Sequence, residues 1–197
     1  MRARSAIVDR KTTETQIRVG LVLDGAGKAR IQTTLPFLDH MLAQLAKHGR
    51  FDLTVSARGD THVDDHHTVE DIGIVLGEAF ARAVGDKAGV RRFGFASIPL
   101  DDALAQVSVD LSGRPYLAYR VHVPARRRIK AFAVDLFEEF FRAFVTHGRL
   151  TLHVQAAYGK DPHHVFEAVF KALGRALGEA TRRDAGFRGI PSTKGRL

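Results

Sequence analysis

Residues 64–70 read D-D-H-H-T-V-E, and residues 161–167 read D-P-H-H-V-F-E. Two adjacent histidines with a glutamate three positions after the second therefore occur twice in a chain of 197 residues. On a helix, positions i and i+4 share a face, while i+1 is turned about 100° away. His66 and Glu70 can then chelate one metal ion while His67 points elsewhere. His163 and Glu167 repeat the pair, and His164 is the one turned aside. Two chelating pairs and two outward histidines suggest two metal ions, each receiving the outward histidine of the other repeat. The preceding helices offer one more donor each at matching positions, His40 and Glu139, and both side-chain types ligate metals. Three or four protein ligands per ion would leave positions open for substrate, which is a catalytic arrangement and not a closed structural one. Imidazole and carboxylate without sulfur suit Mn, Fe, Zn, Co or Ni, so a metal hydrolase, a lyase or a ferritin-like oxidoreductase all remain open. The plainer alternative, two helix starts capped by Asp65 and Asp161, does not account for two clusters in register with a matching His40/Glu139 pair upstream.

The elements that must position these residues are also written twice. At an offset of 99, His48-Gly49-Arg50 falls on His147-Gly148-Arg149, and Phe51 to Val55 on Leu150 to Val154. At an offset of 97, His66-His67 meets His163-His164, and Leu76-Gly77 meets Leu173-Gly174. Upstream, an offset of 88 sets Val19, Leu21, Leu23 and Gly25 on Val107, Val109, Leu111 and Gly113. A colinear series of this kind reads as an internal duplication. The halves are expected at about 1–88 and 89–185 of a single domain, followed by a basic tail over 186–197. In the first half, Gln16 to Leu23 alternates apolar and polar residues and D-G-A-G-K turns into Arg30 to Thr34, which predicts a hairpin. Pro36 opens a helix that Gly49 stops, Phe51 to Ala57 is a strand, and His66 to Val84 is a helix with Val69, Ile72, Leu76 and Phe80 on one side. In the second half, Phe93 to Ile98, Leu104 to Leu111 and Tyr116 to Val121 are strands, with the turn S-G-R-P before the third. A helix around Ala133 to Thr146, a strand from Leu150 to Ala156 and a helix from His163 to about Ala180 follow. The expected class is α+β: two half-domains of about four strands and two helices each, with the helices packed together between two sheets.

Composition narrows the function classes. The chain is 45% hydrophobic and has no cysteine, so it is globular and has neither a disulfide framework nor a thiolate metal site. The first residues carry charge without an apolar stretch, so no signal peptide is expected, and no run approaches a membrane span. A cytoplasmic protein follows as the default. The net charge of +8 suits nucleic acid, a membrane surface or an anionic small substrate. With no Trp and three Tyr, the chain lacks an aromatic stacking surface for nucleic acid, and the run Arg126-Arg127-Arg128 with Lys130 reads as a solvated segment. A basic RNA-binding protein with structural metal is the rival reading from a different class.

Several strings together resemble the imidazoleglycerol-phosphate dehydratase family. They are T-E-T-Q-I, P-F-L-D-H-M-L, H-G-x-F-D-L, G-D-x-H-x-D-D-H-H-T-V-E-D-I-G, R-F-G, D-L-S-G-R-P-Y, T-L-H, H-H-x-x-E and P-S-T-K-G, and they span essentially the whole chain. The resemblance implies dehydration of D-erythro-imidazole glycerol phosphate to imidazole acetol phosphate in histidine biosynthesis, through a metal-bound imidazolate of the substrate. It implies two Mn²⁺ ions, one held by His40, His67, His163 and Glu167 and the other by His66, Glu70, Glu139 and His164. The last set departs from the family at Glu139, where histidine is frequent. Glu14 matches the family's substrate-facing glutamate and is expected to do acid/base work. Arg92, Arg114, Ser192, Thr193 and Lys194 match phosphate-binding positions, and Gln44 and His48 are expected to line the site beyond His40. The resemblance further implies the form without an extra phosphatase domain, and a homo-oligomer of 24 subunits with sites between neighbours. A dinuclear hydrolase of a phosphorylated substrate is the nearest enzymatic alternative.

Overall fold

In this computed structural model, which describes residues 4–123 and 128–197, each half begins with an antiparallel strand pair. The first half comprises β1 (Ser5–Lys11), β2 (Thr15–Val22), β3 (Ala29–Gln32), α1 (Pro36–Gly49), β4 (Asp52–Gly59) and α2 (His66–Val84). The second comprises β5 (Phe93–Leu100), β6 (Ala103–Asp110), β7 (Tyr116–Arg120), a short hairpin β8 (Arg128–Ile129) and β9 (Phe132–Ala133), α3 (Leu136–Gly148), β10 (Thr151–Tyr158) and α4 (Pro162–Ala180). The two four-stranded sheets have the same order, β1-β2-β4-β3 and β5-β6-β10-β7, which is the layout expected of a duplicated α+β fold. Arg126 and Arg127 lie outside the described residues.

Three details differ from the sequence expectation. The run Gln16 to Leu23 and the run Arg30 to Thr34 do not form a hairpin. Strand β2 takes β1 and β4 as antiparallel neighbours, and β3 crosses over to lie parallel to β4 at the sheet edge. The crossover is held by Asp52, whose Oδ1 accepts the N–H groups of Ala26 at 2.8 Å and Lys28 at 2.9 Å over the start of β4. The S-G-R-P turn repeats the geometry, since β7 runs parallel to β10 and does not pair with β6. Strand β1 itself carries too little alternation to be read from sequence, because only Val8 of its seven residues is buried. Helix α3 starts at Leu136, later than Ala133, because Phe132 and Ala133 pair with Ile129 and Arg128.

Alternation builds the inner sheet faces. Strand β2 buries Thr15, Ile17, Val19 and Leu21, and β4 buries Leu53, Val55 and Ala57. The helices lie against these faces, α2 on β1 and β2 and α4 on β5 and β6. Their pairing crosses the repeat, because α1 packs on α4 and α2 packs on α3. Both crossings are close enough to bring backbone against backbone. A Cβ at Gly174 would lie 2.5 Å from the Leu45 carbonyl oxygen and 2.9 Å from the Gly49 nitrogen. A Cβ at Gly77, the repeat equivalent, would lie 2.7 Å from the Phe144 carbonyl oxygen and 2.9 Å from the Gly148 nitrogen. Around these contacts Phe137, Phe140, Phe141, Phe144, Phe166 and Phe170 form a fully buried cluster, with the Phe137 and Phe166 rings 4.7 Å apart. No helix among the described residues is long and apolar enough to cross a membrane.

Arg4 ties the two halves at the far end of α4. Its Nε donates to Asp24 Oδ2 at 2.9 Å, and its Nη1 donates to the Thr181 carbonyl oxygen at 2.5 Å.

Two stability predictions come from these contacts. Gly174→Ala and Gly77→Ala are each expected to cost about 1–3 kcal/mol through overpacking, measured by urea unfolding. Wild-type stability in either variant would show that the helix pairs can part without loss. The second concerns acid. The hydrogen bond from Arg4 holds the Asp24 carboxyl below the usual carboxylate range, against the opposing effect of partial burial. A depressed carboxylate adds stability above its unfolded pKa of about 3.9 and loses it as pH falls through the folded value. Asp24→Asn is therefore expected to be less stable than wild type above about pH 5, by less than about 1 kcal/mol for this exposed acid, with the curves converging in acid.

Candidate active site

The α1/α4 contact brings three donor side chains together. His40 lies on the first turns of α1, and His163 and Glu167 lie one turn apart at the start of α4. His40 Nε2 is 3.0 Å and His163 Nε2 3.1 Å from the same Glu167 oxygen, Oε2. The donor atoms all lie within 4.8 Å of one another. The other carboxylate oxygen of Glu167 accepts from Lys171 Nζ at 2.7 Å. Burial alone would raise the Glu167 carboxyl, but hydrogen bonds from Lys171, His40 and His163 outweigh it and pull it down to about 2. The Phe37 ring backs His163, with centroids 5.3 Å apart.

The α2/α3 contact gives a looser counterpart. His66 Nε2 stands 3.6 Å from Glu70 Oε2, as the i, i+4 spacing requires. Glu139 sits half-buried on the first turn of α3, with Oε2 3.7 Å from Arg142 Nε. The donor groups that converge within 4.8 Å among the described residues include neither Glu139 nor the His66/Glu70 pair.

The two outward histidines keep different company. His67 Nδ1 is 3.1 Å from Asp60 Oδ2 and 3.8 Å from Glu14 Oε2, and these three form the second converging donor group. His164 Nδ1 is 2.6 Å from Asp102 Oδ1. Each acid raises the pKa of the imidazole it faces, Asp60 that of His67 and Asp102 that of His164, chiefly by accepting its hydrogen bond. The chain therefore gathers His40, His163 and Glu167, but it does not bring its own His67 or His164 into a converging group with the donors they were expected to join.

Glu14 occupies the turn between β1 and β2 and is exposed. The turn is rigid. Thr12 Oγ1 accepts the N–H groups of Glu14 at 3.1 Å and Thr15 at 2.9 Å, and the Asp60 N–H donates to the Glu14 carbonyl at 3.1 Å. Thr15 Oγ1 in turn donates to the buried carboxylate of Asp71 on α2, whose other oxygen accepts from Arg10 Nε at 3.0 Å. The helix starts differ from the expected caps at one place. Asp161 Oδ1 accepts the His163 N–H at 2.8 Å, whereas at α2 it is Asp64 and not Asp65 that accepts the His66 N–H, at 2.5 Å.

Gln44 and His48 follow His40 one and two turns along α1. Burial lowers the His48 pKa, and the charges of Lys171 and Arg175 on α4 lower it further. The groove between these helices thus carries a cationic stretch beyond the His40/His163/Glu167 group. A second cationic group lies elsewhere. Arg92, with φ +72°, donates from Nε to Asp110 Oδ1 at 2.7 Å and from Nη1 to the Pro191 carbonyl at 2.8 Å, which docks the tail residues Ser192, Thr193 and Lys194 beside it. Arg114 is exposed, with Nη1 3.4 Å from the Ser112 carbonyl. Lys87 and Arg149 belong to the same group, since burial and then the charge of Arg149, with smaller contributions from Arg92 and Arg114, push the Lys87 pKa down. Among the described residues no hydrogen bond or ion pair joins this group to the histidine clusters.

Sequence reading missed Lys171, Asp60, Asp71, Asp102 and Lys87. Lys171 carried a legible signal, its i+4 spacing from Glu167, and Asp102 another, the offset of 88 that sets it on Glu14.

Comparison with known proteins is consistent along the chain. The family model described as imidazoleglycerol-phosphate dehydratase matches residues 33–177. The imidazoleglycerol-phosphate dehydratase of Thioalkalivibrio sulfidiphilus is 58% identical over 198 residues, covering 100% of both chains. That of Geobacillus kaustophilus is 55% identical over 195 residues, covering 99% of this chain and 100% of its own. Among solved structures, the dehydratase of Staphylococcus aureus superposes with a TM-score of 0.82 at 38% identity, covering 91% of this chain and 99% of that one. The enzyme of Pyrococcus furiosus, solved in complex with (S)-C348, gives 0.83 at 39% identity, covering 96% and 100%.

Proposed function

Because the chain belongs to the imidazoleglycerol-phosphate dehydratase family, we propose that it converts imidazole glycerol phosphate to imidazole acetol phosphate in histidine biosynthesis, with divalent metal, Mn²⁺ by preference, held by the paired histidine clusters. The observation that carries the metal reading is the convergence of His40, His163 and Glu167 across the α1/α4 contact. Two imidazoles and one carboxylate held at low pKa are a donor set that suits such an ion, and the group is half-exposed, which leaves it open to a substrate. His66, Glu70 and Glu139 would supply the second set. A bound divalent cation would act there as a Lewis acid that stabilises negative charge on the substrate's imidazole.

The reaction removes a proton from carbon and hydroxide from its neighbour, and the resulting enol becomes the ketone. We assign the movement of these protons to Glu14. Its carboxylate is exposed beside His67, on a turn that Thr12, Thr15 and Asp71 hold still. Arg92, Arg114, Ser192, Thr193 and Lys194 would bind the phosphate by charge-assisted hydrogen bonds, and Gln44 and His48 would line the groove. His67 and His164 would complete the donor sets of neighbouring copies, so the working enzyme is a homo-oligomer, with 24 subunits as its expected size. The apolar side chains left on the outer sheet faces support such contacts: Ile7 is 61%, Phe93 58% and Phe95 56% exposed. A cytoplasmic location goes with the biosynthetic role.

The test uses metal-stripped protein and imidazole glycerol phosphate. Imidazole acetol phosphate is expected only after Mn²⁺ is added back, with no release of inorganic phosphate. Phosphate release in its place would establish the hydrolase alternative, and product without metal would remove the metal from the mechanism. Glu14→Gln is expected to lower kcat by about 10²–10⁴-fold while Mn²⁺ uptake stays unchanged. Full kcat in that variant would reassign the proton transfer.

A further inference from the structure

The repeat puts two acids at one position. The offset of 88 that aligns Val19 with Val107 also aligns Glu14 with Asp102, and the offset of 97 aligns His67 with His164. Both acids lie in the turn after the first strand of their half, between β1 and β2 and between β5 and β6. Their geometry has diverged. In the second half Asp102 Oδ1 sits 2.6 Å from His164 Nδ1, while Oδ2 accepts the N–H groups of Lys160 at 2.7 Å and Asp161 at 3.1 Å. In the first half Glu14 stands off at 3.8 Å, and Asp60 at the end of β4 takes His67 Nδ1, at 3.1 Å from Oδ2 and 3.3 Å from Oδ1.

We propose that Asp60 and Asp102 are positioning residues that each accept the Nδ1–H of an outward histidine and so present its Nε2 lone pair as the metal donor. The proposal rests on the metal reading above. Its physical basis is simple. An ionised carboxylate only accepts hydrogen bonds, so the facing ring nitrogen must carry the proton and the far one keeps its lone pair. The hydrogen bond also fixes the ring plane, as carboxylates behind metal-binding histidines do. Among the described residues no hydrogen bond reaches either far nitrogen: the ion-pair partner nearest to His164 Nε2 is the exposed Asp101 Oδ2, at 3.7 Å, beyond hydrogen-bond distance. The divergence then has a functional sense. Asp60 has taken the orienting duty in the first half, which leaves Glu14 free for proton transfer, while Asp102 still performs that duty in the second.

Asp60→Ala, which removes the acceptor, and Asp102→Asn test the role. In Asp102→Asn the amide oxygen keeps the two backbone donors only by turning its NH₂ toward the ring. Nδ1 must then accept, and the proton moves to Nε2, where it blocks the donor. Free Mn²⁺ is counted by electron paramagnetic resonance against the full-length protein in its native assembly, with thermal melting to verify folding. The unaltered protein is expected to bind two Mn²⁺ per chain. Each variant is expected to weaken one of the two by about 10–100-fold and spare the other, and the double variant to weaken both. Two unweakened Mn²⁺ in both folded variants would overturn the orienting role and leave the metal reading intact. Unaltered protein that takes up no Mn²⁺ would overturn the metal reading itself. If Asp102→Asn fails to fold because the 160–161 loop is released, Asp60→Ala decides alone, since His67 is the side-chain partner of the Asp60 carboxylate among the described residues and no backbone donor is lost with it.

Discussion

Everything in the site depends on the close crossing of helices from opposite halves. At Gly174 and Gly77 a backbone lies where a side chain would otherwise be, and the axes approach until carbonyl and Cα groups touch. Only at that separation can His40 on one helix reach the carboxylate that His163 also reaches on the other. Neither half could make this contact alone, because the partner of α1 is α4 and the partner of α2 is α3. Duplication therefore did more than double a cluster. It made each cluster depend on the other half for its neighbour.

The charges around the crossing are arranged by the same logic. Glu167 is surrounded by two imidazoles and Lys171 and remains ionised despite burial. Asp60 and Asp102 do for the outward histidines what Lys171 and the imidazoles do for Glu167, which is to settle where the protons sit. The pseudo-symmetry is broken where the two halves need different chemistry. One turn offers a glutamate that stands 3.8 Å from its histidine and the other a carboxylate already engaged with three donors.

Much of the frame was legible in the chain. Helix α2 spans the residues its periodicity predicted, and α1 and α4 begin at or beside the expected residue because Pro36 and Pro162 suit a first helical turn. Strand partners were not legible. The pattern tells that Gln16 to Leu23 and Arg30 to Thr34 are extended, the latter two residues past the observed strand end, but a turn-like D-G-A-G-K is equally a crossover when Asp52 is there to hold it. Of the acids missed at the site, Asp60 and Asp71 stand singly with no spacing to mark them, and Asp102 is marked only by its repeat alignment with Glu14, a glutamate of a different geometry.

Spacing along the chain is enough to establish which residue types recur, and hence that two i, i+4 donor pairs and two outward histidines exist. Those are properties of local helical geometry, which residues a few positions apart settle among themselves. Folding of the whole chain is needed before His40 joins His163 and Glu167, His67 and His164 turn away from them, and a particular carboxylate stands behind each ring. Asp102–His164 and His40–Glu167 join residues 62 and 127 positions apart, which long-range packing of helices and sheets brings within about 3 Å, and even Asp60 and His67, 7 apart, meet only because the loop after β4 folds back on α2.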